Sequence, residues 1–173
     1  MSTIDLIVLG MIKQAPKSAY DIEKEVKYRN ISKWVKTSIS SIYKKVIKLE
    51  CKGYIKSTCI KEGKMPEKVV YSLTQSGELY LKELMNDISS SPVNVFLDFN
   101  AVIVNLSCFP KDEQLTFLDN IERNIVDLRK TIEENMQAKQ HIPEIGKSVL
   151  LQQYTLSESL IKWIDSLKKV LGE

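Results

Sequence analysis

The stretch TSISSIYKKVIKLECKGYIKS, Thr37 to Ser57, decides how the first half of this chain is read. Ile39, Ile42, Val46 and Leu49 recur at helical spacing and make one apolar face, with Thr37 or Ser38 as the capping hydroxyl. The opposite side carries Ser40, Ser41, Lys44, Lys45, Lys48 and Lys52. Lys44, Lys48 and Lys52 stand four apart, so their ammonium groups line one edge. Gly53 is placed to end the helix in a left-handed conformation. Beyond it the apolar period shifts from 3.6 toward 2. YIKSTCI and KVVYSLT are rich in β-branched and aromatic residues, and KEGKMPE between them holds a Gly and a Pro suited to a turn. A helix followed by a β-hairpin is expected.

Working outward, Ile4, Ile7, Val8, Met11 and Ile12 stripe a first helix that ends near Gln14, ahead of Pro16. Ser18 caps a second, with Asp21 in its first turn and Tyr20, Ile22 and Val26 continuing it to about Tyr28. RNISKWVK has no period and reads as a connecting turn plugged by Trp34 and Val35. After the hairpin, Thr74 caps a helix whose Leu79, Leu81, Leu84, Met85 and Ile88 predict burial on more than one side. SSSPVN, Ser89 to Asn94, is the sharpest composition break in the chain. The expected division is therefore 1–88, a junction at 89–94, and 95–173.

The second half reads as all helix. FLDFNAVIVNLSCF is apolar enough for a buried helix. Pro110 starts another that runs to about Gln140, with Leu118, Ile121, Ile125, Leu128 and Ile132 spaced as in a coiled coil. Pro143 and Gly146 separate it from a last helix with two apolar stripes: Leu150, Tyr154, Ile161, Ile164 and Leu171, and Val149, Leu156, Leu160, Trp163, Leu167 and Val170. One neighbour needs one stripe, so the excess points to a second copy of the chain.

Charge follows the same division. Met1 to Met85 holds 16 Lys and Arg against 9 Asp and Glu, whereas Asn86 to Glu173 holds 9 against 13. A basic front and an acidic back suit a chain whose first part meets a polyanion. No apolar run approaches the ~20 residues of a membrane span, and the N-terminus lacks a secretory signal pattern, so a cytoplasmic protein with no membrane partner is expected. Cys51, Cys59 and Cys108 lack C-x-x-C spacing and are read as reduced thiols in core positions. His141 is the one histidine, and no phosphate loop, nucleophile elbow or paired-histidine motif accompanies it. Neither an enzyme nor a metal or other cofactor is expected.

A helix about 10–12 Å across fits a DNA major groove about 12 Å wide. Ser40, Ser41 and Tyr43, near the helix start, are positioned to read base edges, with Thr37 and Ser38 beside them. Lys44, Lys45 and Lys48 would hold phosphates. Lys61, Lys64 and Lys68 flank the hairpin turn and would reach the backbone or minor groove, partly offset by Glu62 and Glu67. A lysine-rich helix face can also be merely solvated. Here the order of helix, helix, turn, helix and basic hairpin favours nucleic acid.

SSIYKKVIKLECKGYIKS followed by KVVYSLTQSGELYL resembles the PadR family of winged-helix transcriptional regulators, through Ile42, Tyr43, Val46, Leu49, Gly53, Tyr54 and Ile55, then Tyr71, Leu73, Thr74 and Gly77. DLIVLGMIKQAPKSAYDI is similar to that family's opening helices. The resemblance implies a mainly α fold: an N-terminal winged helix-turn-helix with a two-stranded β-wing, and a C-terminal helical dimerisation segment. It further implies a homodimeric regulator, in most cases a repressor, of a pseudo-palindromic operator. In part of the family small aromatic or cationic effectors bind at the dimer interface, which makes Phe96, Phe99, Tyr154 and Trp163 candidates for lining an effector site. A winged helix that binds protein instead of DNA is the competing reading.

Overall fold

The computed structural model describes residues 2–35, 41–61 and 67–172. The chain forms two compact units, divided between Val93 and Asn94.

The first unit opens with α1 (Thr3–Gln14), capped by Ser2, and α2 (Ala19–Tyr28). The Ser18 side chain accepts from the Asp21 N–H while the Asp21 carboxylate accepts from the Ser18 N–H, a reciprocal cap that fixes where α2 starts. A 3-10 turn (Ile31–Lys33) leads on toward α3 (Ile42–Cys51), then β1 (Ile55–Ile60), β2 (Lys68–Leu73) and α4 (Gln75–Ser89). The strands pair antiparallel from Ile55 opposite Leu73 to Ile60 opposite Lys68. Lys17 adds a single bridge to Tyr71 on the other edge of β2, so the segment between α1 and α2 is tied to the hairpin. Val8, Leu9, Ile12, Ile22, Val26, Ile42, Val46, Leu49, Ile55 and Leu84 close one core among these elements.

Gly53 has φ +73° and ends α3 as its sequence position predicts. Around it the chain is knotted to the start of α4. Thr74 Oγ1 donates to the Gly53 carbonyl at 2.6 Å, Ser76 Oγ donates to the same carbonyl at 2.9 Å, and the Gly77 N–H donates to Thr74 Oγ1 at 3.1 Å. The Tyr54 and Tyr80 rings stack 4.3 Å apart over this knot. It fixes the exit of α3 relative to α4.

Several expectations are corrected here. Trp34 is not a plug: Ile31 is buried in that place, and the half-exposed indole donates to the Arg29 carbonyl at 3.4 Å, since its N–H needs a partner. On α4 Gly77 and Leu84 are buried, and Leu79 and Met85 are exposed, because within its unit this helix packs along one face. None of the three cysteines is in the core. Cys51, Cys59 and Cys108 are all exposed, position along helix and strand having overridden the thiol's preference for burial. The Thr37 or Ser38 cap and most of the hairpin turn lie outside the described residues.

The second unit contains a short α5 (Asn100–Ile103), α6 (Lys111–Ala138) and α7 (Glu144–Gly172). The expected long helix before Pro110 is only α5 and a 3-10 turn, Leu106–Cys108. Val102, Ile103 and Val104 are β-branched in succession, and the Asn105 amide turns back to the Ala101 carbonyl at 2.7 Å, both of which oppose continued helix. Gly146 lies inside α7 rather than before it. Leu118, Ile121, Ile125 and Ile132 of α6 are buried, the first three in one cluster with Ile164 of α7, whereas Leu128 drops off the stripe and is exposed. Lys168 bridges Asp119, at 2.6 Å, and Glu122, pinning α7 to α6. Among the described residues, no helix is long and apolar enough to cross a membrane.

Candidate nucleic-acid interface

α3 is held in its unit by Ile42, Val46 and Leu49, all buried, and everything exposed on it lies on the far side. Tyr43, Lys44, Ile47, Lys48 and Cys51 make up that outer surface. Lys44 and Lys48 form no ion pair with any described residue, so their charges are available to an anion. Tyr43, at the first turn, leans on α2. Partial desolvation and a hydrogen bond to the Glu23 carboxylate hold its phenol above the ordinary tyrosine range. Glu23 also pairs with Lys27 one turn along α2.

Lys45 is placed differently. Its Nζ sits 2.8 Å from Asp5 Oδ1 and donates to Ser2 Oγ at 2.9 Å, and its side chain keeps only 24% of its exposure. Asp5 is buried in the first turn of α1, and the Tyr80 hydroxyl of α4 reaches its other oxygen at 3.4 Å. Lys45 therefore ties α3 to α1 and leaves the outer face. Replacing it with alanine strands a buried carboxylate and should cost about 2 kcal/mol of stability. If α3 meets a duplex, the same change should leave the salt dependence of that binding intact, and a thermal melt beside a salt titration separates the two effects.

On the hairpin, Lys68 lies 2.7 Å from Asp21, and this ammonium, helped by the Ser18 bonds and opposed by desolvation, holds the Asp21 carboxyl below the usual carboxylate range. Lys61 is exposed at the end of β1. Ser41 immediately precedes α3. Thr37, Ser38, Ser40 and Lys64 lie outside the described residues.

Of the effector candidates, Phe99 and Trp163 meet, their rings stacked with centroids 5.8 Å apart and planes 24° from parallel. Phe96 stands 87% exposed in the segment before α5. Tyr154 is nine residues before Trp163 on α7, roughly 13 Å along the axis. It lies instead among Glu158, Glu133 and Arg129, and the Glu158 charge is first in raising its phenol pKa. The four aromatics do not form one site within a single chain.

Residues 8–83 match the Transcriptional regulator PadR-like family, a span that runs from the core of α1 through the hairpin into α4. The match covers most of the first unit and leaves the second outside it. The negative transcriptional regulator PadR of Bacillus subtilis (strain 168) is 24% identical to it, over the whole of both chains. The crystal structure of Bacillus subtilis PadR in complex with operator DNA superposes with a TM-score of 0.82 at 19% identity, covering 98% of this chain and 99% of that one. The same protein in complex with p-coumaric acid gives 0.81 at 19% identity, covering 99% and 100%.

In the first unit, the sequence pattern alone passed over Asp5 and Ile47. Asp5 looked like an ordinary acidic residue in the first turn of a helix, and its pairing with Lys45 joins positions 40 apart. Ile47 is an aliphatic residue one position off the buried stripe of α3, and that offset was the available signal.

Proposed function

We propose that this chain is a sequence-specific DNA-binding repressor that acts as a homodimer in the cytoplasm and is released from its operator by a small aromatic effector. Residues 1–88 bind DNA, 89–94 form the junction, and 95–173 dimerise. The observation that carries the reading is the outer face of α3, where Lys44 and Lys48, in no ion pair among the described residues, project from a helix anchored by three buried aliphatics. Set in a major groove, those ammonium groups reach phosphates while the helix start meets base edges. The likeness to a PadR solved on operator DNA supports the same placement.

A two-fold pair of α3 helices would read half-sites about one helical turn, ~34 Å, apart or a multiple of it. The second unit supports dimerisation, since α7 leaves Leu151, Leu156, Trp163 and Val170 exposed after packing on α6. Deleting the chain from Ile145 onward should yield a monomer in sedimentation velocity, and a truncated protein that still sediments as a dimer would refute that assignment. For the effector, the stacked Phe99 and Trp163 offer an aromatic surface, and the p-coumaric acid complex of Bacillus subtilis PadR supports that ligand class. The deciding experiment is a gel shift on the DNA upstream of the protein's own gene, with salt titrated and non-specific competitor present. Selective retardation is expected. Equal binding to the competitor would favour a protein-interaction role.

A further inference from the structure

Ile47 has no evident reason to be where it is if α3 only grips phosphates. It is 58% exposed, at the middle of the helix, while its neighbour Val46 is fully buried. The core does not use it. Lys44 lies one turn before it and Lys48 directly after it, so an apolar side chain stands between two ammonium groups on the exposed face of α3. An acidic protein surface would satisfy the lysines but give the isoleucine nothing to bury against. A DNA major groove satisfies both, because it is lined by phosphates and its floor carries one apolar group, the C5-methyl of thymine.

We infer that Ile47 is a specificity-determining residue that packs against a thymine methyl in each half-site. The inference rests on the DNA-binding reading above and adds to it a base and a chemistry: T is distinguished from C by its methyl, with no hydrogen bond from this residue. It also divides the labour on α3. Lys44 and Lys48 contribute affinity for any duplex, and Ile47 contributes preference among duplexes.

The test uses a duplex selected by the full-length protein from a randomised pool, in which each thymine is then replaced in turn by deoxyuridine, the same base without its methyl. At one thymine per half-site the replacement should weaken binding about threefold to tenfold. Ile47→Ala should weaken binding to the thymine duplex by a similar factor and be indifferent to deoxyuridine at that position, while Ile47→Val keeps part of the response. Because Ile47 is exposed, the variants should melt as the parent does, which separates the effect from misfolding. An Ile47→Ala protein that still responds to every deoxyuridine, or a parent that responds to none, would overturn the inference while leaving the repressor reading in place. A pool that yields no consensus at all would sink both.

Discussion

Replacing Lys44 and Lys48 together with alanine should lower affinity for specific and non-specific duplexes alike, by about tenfold to a hundredfold near 0.1 M salt. Counterion release sets the size of the effect: each phosphate neutralised frees roughly 0.9 of a condensed cation, so two lost contacts should reduce the slope of log K against log salt by about 1.8. Neither lysine forms an ion pair among the described residues and both are exposed, so the melting temperature should stay within the range of an ordinary surface change. Fluorescence anisotropy at four or five salt concentrations measures slope and affinity together. A slope equal to that of the parent would remove both lysines from the phosphate contacts.

Gly77→Ala should be the most damaging single substitution in the first unit. In an ordinary helix the change favours folding by about 1 kcal/mol. Here the added Cβ would stand 1.9 Å from the Tyr54 carbonyl oxygen and 2.9 Å from its carbon, with Leu73 Cδ2 at 3.2 Å. Two of these are backbone atoms that no rotamer change can move. The first turn of α4 must shift, which pulls apart the Thr74 and Ser76 bonds to Gly53 and the stack of Tyr54 on Tyr80. A cost on the order of 3 kcal/mol follows from overpacking. For a unit of this size that corresponds to a fall in melting temperature of about 15 °C. Since the same knot sets the exit of α3, DNA binding should fail as the unit loosens. Circular dichroism melts of the full chain test this, and an unchanged melting temperature would show that the junction yields at no cost.

Most of the fold was legible because its signals are local. The stripe of α1, the Ser18 and Thr74 caps, the left-handed Gly53 and the change of period into β1 and β2 each depend on residues within a few positions of one another. The likeness of the Gly77 region to the family pattern was visible too, though its cause was not: the carbonyl it must clear belongs to Tyr54, 23 positions earlier. Lys44 and Lys45 are adjacent and chemically identical, and only the approach of Asp5 from α1 separates an available charge from a structural one. Phe99 and Trp163 come together across two elements, whereas Tyr154 on the same helix as Trp163 does not join them.

By itself, then, the sequence determined which segments are helix and strand outside the stretch before Pro110, where most of them start, and that a basic helix precedes a basic hairpin. Helical and strand periods, caps and turns are short-range physics, written in consecutive residues. Tertiary structure alone decided which lysine is spent on a buried carboxylate and why position 77 admits no side chain. Those outcomes depend on atoms brought within a few ångströms by elements far apart in the chain, and no local pattern records that proximity.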